Sequence, residues 1–71
     1  MNIDRLVQMA NDIAANMAAE PDRAETIAAI TAHLERFWEP RMRAQLVAFA
    51  KDDGVGLSAL ARAGVLGLAS E

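Results

Sequence analysis

The sequence contains no cysteine and a single histidine, His33. No disulfide can therefore brace the chain, and it supplies neither the thiolates of a zinc or iron–sulfur site nor a pair of imidazoles. No run approaches the roughly 18–20 consecutive apolar residues that cross a bilayer, and the N-terminus lacks a basic stretch followed by an apolar one. A cytoplasmic location with no membrane partner is expected, and the missing cysteine agrees with a reducing compartment. Positive charge is in deficit, with a net charge of −3, the wrong sign for a protein that lives on phosphate backbones or anionic lipid. No nucleic-acid partner is expected.

What remains is short and rich in alanine. A chain of 71 residues has room for one helical domain, residues 1–71, and on folding it buries only about 60% of the surface of its unfolded form. An apolar core of that size contributes roughly 3–5 kcal/mol, which small domains supplement with disulfides, a metal or a partner. With the first two excluded, the support left is another protein. The hydrophobic share of 54% overstates the core, because much of it is alanine, the best helix former and a poor source of buried area. Bulky β-branched residues are few, so helices are favoured over strands.

Apolar spacing places the helices. Leu6, Met9, Ala10, Ile13 and Met17 follow the i, i+3/i+4, i+7 pattern, with Asn2 or Asp4 available as a cap and Glu20-Pro21-Asp22 as the stop. Asp22 with Glu25 resembles a capping box and starts a second helix at about residue 22 or 23. Ile27, Ile30, Leu34, Phe37 and Trp38 share one arc of about 100° on it, with Thr26, Ala29 and Arg36 away from the centre. Pro40 suits the first position of a third helix, where its missing N–H costs nothing. Met42, Leu46 and Phe49 would face inward there, and Val47 would lie on the other side with Arg43 and Ala50. Met9, Met17 and Met42 read as adaptable core residues.

Asp52-Asp53-Gly54-Val55-Gly56 ends that helix. Leu57, Leu60, Ala61 and Val65 can form a short fourth, which Gly64 and Gly67 weaken by about 1 kcal/mol each relative to alanine. Residues 54–71 either fold back on the first helices or form a tail ordered by a partner. The fold class expected is all-α, a small three-helix bundle with a short fourth helix at the C-terminus.

No enzyme reading survives the search for chemistry. His33, at the edge of an apolar stripe, has no nucleophile or second ligand beside it. Ser58 and Ser70 lack a nucleophile elbow, the pair Asp52-Asp53 sits in a turn, and the glycines around it lack the spacing of a phosphate loop. Charge is more informative. Residues 1–35 set Arg5 and Arg23 against six acids, whereas residues 36–51 set Arg36, Arg41, Arg43 and Lys51 against Glu39 alone. Arg41 and Arg43 fall at the positive end of the third helix, where an acid is preferred. The ordinary explanation is pairing with Glu35, Glu39 or the acidic first helix. The functional one is that Arg36, Trp38, Arg41 and Arg43, with Val47 nearby, meet a partner protein, since Arg and Trp are enriched at interface hot spots. On that reading, reversing Arg41 and Arg43 together weakens binding and leaves the fold intact.

Leu6-Val7-Gln8-Met9-Ala10-Asn11-Asp12-Ile13-Ala14, Ile27-Ala28 through His33, and above all Phe37-Trp38-Glu39-Pro40-Arg41-Met42-Arg43 resemble the delta subunit of cytoplasmic NAD-dependent formate dehydrogenases, over about residues 5–50. The resemblance implies a non-catalytic accessory subunit of a molybdenum or tungsten enzyme that oxidises formate to carbon dioxide. It implies the large catalytic subunit as partner, with bis-molybdopterin guanine dinucleotide, iron–sulfur clusters and FMN carried by other subunits and no cofactor on this chain. The alternative is a free-standing small helical adaptor that regulates an unrelated protein.

Overall fold

A helix leaves its first backbone N–H groups unpaired, and each helix here starts where a side chain or a proline deals with them. The Asn2 side chain accepts the Asp4 N–H at 2.9 Å, Asp22 accepts that of Ala24 at 2.9 Å, and the Ser58 hydroxyl accepts that of Ala61 at 3.1 Å. The remaining start is Pro40, which has no N–H to satisfy. The computed structural model describes residues 2–18 and 21–69. Among them are four helices and no strand: α1 Ile3–Met17, α2 Arg23–Phe37, α3 Pro40–Lys51 and α4 Ala59–Leu68. Of the two caps considered for α1, Asn2 is the one used. Glu20, part of the stop expected there, lies outside the described residues.

Leu6, Val7, Ala10 and Ala14 of α1, Ile30 and Leu34 of α2, Leu46 and Ala50 of α3, and Ala61 and Val65 of α4 are buried in one cluster with Trp38. Four of these are alanines, so small side chains do more for this core than their area suggests: they let backbones approach. The most extensive helix contact is between α4 and α2. A Cβ on Gly64 would come within 2.8 Å of Ile30 Cβ and nearer still to its Cγ2, and one on Gly67 would collide with the Thr31 hydroxyl. That hydroxyl lies 2.6 Å from the Gly64 carbonyl and 3.1 Å from that of Ile27, binding the two helices where they touch. Successive contacts pair Ile30 with Gly64 and Thr31 with Gly67, so α4 runs in the same sense as α2.

Of the two courses open to residues 54–71, folding back is the one taken: α4 runs ten residues and closes the core, and its glycines are the reason it can. Four expectations are corrected by this packing. Met9, read as a core residue of the first helix, is exposed. Ala50, expected to face outward with Arg43 and Val47, is fully buried because α4 covers that side of α3; Val47 is half-buried on the same account. Thr26, expected away from the stripe of α2, is buried with its hydroxyl donating to the Asp22 carbonyl at 3.1 Å. Phe37, expected inside, is 69% exposed: it lies one turn beyond Leu34, where the stripe of α2 outruns the helices it packs on.

The α3–α4 loop is held from α1. The Asn11 amide donates to the Gly56 carbonyl at 2.8 Å and its oxygen accepts the Ser58 N–H at 2.9 Å. Gly54 and Gly56 turn the loop with φ of +66° and +95°, a region that L side chains enter at a cost.

Candidate partner interface

The residues singled out for partner binding come from the end of α2, the break after it and α3 as far as Val47, and they divide into two groups. Trp38 and Arg43 are used by the fold. Trp38 caps α2 in extended conformation, its N–H donating to the Leu34 carbonyl at 3.0 Å, and only 7% of it is exposed. Its ring therefore belongs to the core cluster and offers a partner little surface. Arg43 is half-buried, and its Nη1 donates to the Glu35 carbonyl at 3.1 Å. That carbonyl belongs to the last turn of α2, where the helix dipole is negative and backbone acceptors lack partners. An arginine in an unfavourable place on its own helix thus sits in a favourable place on the preceding one. Reversing Arg41 and Arg43 together would consequently disturb the fold as well as any docking; Arg41 alone is the clean probe.

Arg62 does the same for α3, and nothing in the sequence pattern singled it out. Its Nε and Nη2 both reach the Ala50 carbonyl, at 3.1 and 3.0 Å. The available signal was positional: Lys51 and two aspartates end α3 and an arginine follows within one loop and one helical turn.

The second group faces outward. Arg36 and Arg41 are exposed. Arg36 lies over the Phe37 ring, its guanidinium carbon 5.8 Å from the ring centre, within the range of a cation–π contact. His33 also neighbours that ring, with centroids 4.8 Å apart and planes tilted by 42°. Val47 lines a shallow groove of about 330 Å³ with Arg43, Ala44, Leu68 and Ala69, between α3 and the end of α4. Because Arg43 joins this groove to the last turn of α2, groove and exposed aromatic occupy the same end of the molecule. Among the described residues there is no group of three or more His, Cys, Asp or Glu side chains that could hold a metal ion, and no helix is long and apolar enough to cross a membrane.

The profile of one protein family, described as NADH-dependent formate dehydrogenase delta subunit FdsD, matches residues 5–65. The chain belongs to this FdsD family. The match runs from α1 through Val65 of α4, further than the likeness over residues 5–50 that the motifs around Trp38 and Pro40 support. The FdsD profile therefore includes the Asn11-clamped loop and α4 as far as Gly64 and Val65, parts of the chain that carry no recognisable motif. No curated protein and no solved structure matches the chain.

Proposed function

We propose that this FdsD-family chain is a non-catalytic accessory subunit of a molybdenum- or tungsten-dependent, NAD-linked formate dehydrogenase, docking on the large catalytic subunit and supporting assembly or stability of the complex. The family match over residues 5–65 carries the reading. A donor set without cysteine and with one histidine supports it, since the redox groups of such an enzyme then belong on other subunits: bis-molybdopterin guanine dinucleotide and iron–sulfur clusters on the large subunit, FMN on the subunit that reduces NAD. The composition and helix lengths agree with a cytoplasmic complex.

Within that complex Arg36 and Arg41 are the outward contacts, and Val47 contributes through the groove it lines. Trp38 and Arg43 act indirectly, by holding α2 and α3 at the angle that presents the others. A tagged copy expressed together with the catalytic subunits is expected to co-purify with them in fixed ratio. A copy that folds but never co-purifies removes the enzyme-subunit reading in favour of an independent adaptor.

A further inference from the structure

The end of the molecule built from the last turn of α2 and the first turn of α3 carries an apolar group the fold does not use. Phe37 is, among the described residues, the most exposed of the large apolar ones, and its ring packs beside the His33 ring and the Arg36 guanidinium. An aromatic ring so packed loses little conformational freedom when a partner encloses it. The charge around it has one sign in excess. Arg36 and Arg41 are exposed beside Glu39, and the positive end of α3 opens here with no acid in its first turn and no side-chain cap. The rest of the chain is acidic, so the basic character is local to this face.

We propose that Phe37, in place of Trp38, is the anchor of the docking face: it enters an apolar pocket of a partner protein whose rim carries carboxylates that meet Arg36 and Arg41. The inference rests on the accessory-subunit reading and names the chemistry of the surface that receives it. A ring at the centre with cations beside it divides the work in the usual manner of interfaces, the buried aromatic holding the complex together and the rim charges steering encounter.

The test uses the full chain titrated onto a complex purified without it, with dissociation constants measured at low and high salt. Phe37→Ala is expected to weaken binding about tenfold or more while leaving the melting temperature of the isolated chain unchanged, and Phe37→Leu to retain most of the affinity. Phe37→Lys should bind better than Phe37→Glu, because only the second brings a negative charge to a negative rim. Arg36→Gln with Arg41→Gln should slow association and flatten its salt dependence.

Wild-type affinity in Phe37→Ala, or equal losses for Lys and Glu, overturns the proposal while the wild-type chain still binds. Failure of the wild-type chain to bind at all overturns the accessory-subunit reading instead. Sedimentation of the isolated chain supplies a further check: a dimer that Phe37→Ala dissolves would assign the face to a second copy and also overturn the proposal.

Discussion

At the scale of single residues, the arginines of this chain illustrate how one side chain type serves opposite ends. Arg43 and Arg62 each reach back to the carbonyl-rich end of the helix before their own, on Glu35 and Ala50, whereas Arg41, two positions from Arg43, faces water. A hydrogen bond involving a charged group contributes more than a neutral one, but part of its strength is lost where water competes. Arg62→Ala and Arg43→Ala are each expected to lower unfolding free energy by about 1 kcal/mol, a shift of roughly 4–8 °C in a domain of this length. Arg41→Ala should leave it unchanged. Thermal unfolding followed by circular dichroism checks all three, and equal melting temperatures would show that the two carbonyl contacts contribute nothing. These roles were only half legible beforehand. The sequence shows that Arg43 is misplaced on its own helix dipole; which acceptor compensates depends on the angle between two helices.

Among the helices, α4 shows propensity yielding to packing. Gly64 and Gly67 make it a weak helix in isolation, and judged by propensity alone the tail is a candidate for disorder. Against α2 the same glycines are necessary, since a methyl at either position would occupy space already filled by Ile30 or Thr31. Ile30 is fully buried and β-branched, with one favoured rotamer in a helix, so it cannot turn aside cheaply. Gly64→Ala therefore gains helix propensity of about 1 kcal/mol but meets an overpacking cost of roughly 1–3 kcal/mol, and a net loss of stability is expected. Denaturant titration decides the sign: a raised midpoint would mean that the helices do not approach this closely. The starts of the helices, by contrast, were readable in advance. Asp22 and Pro40 act within one or two residues of themselves, whatever the rest of the chain does.

For the molecule as a whole, the core is shared among all four helices, and α4 contributes Ala61 and Val65 to it as well as the surface that covers Ala50 and Ile30. A chain ending at Asp53 would expose those residues and lose the Arg62 bond to α3. It is expected to show no cooperative thermal transition, and a sharp one at the full-length temperature would mean that residues 54–71 are an appendage after all. Membership of the delta-subunit family, the all-helical class and the helix starts at Asp22 and Pro40 were determined by the sequence alone, because caps, prolines and a motif such as Phe37-Trp38-Glu39-Pro40 are local and survive any arrangement of the rest. Which aromatic is inside and which outside, which arginines are spent on helix ends, and why glycines belong in a helix were decided only by the tertiary structure. Burial is a property of what lies opposite, and for Ile30, Thr31 and Ala50 that surface comes from residues at the far end of the chain.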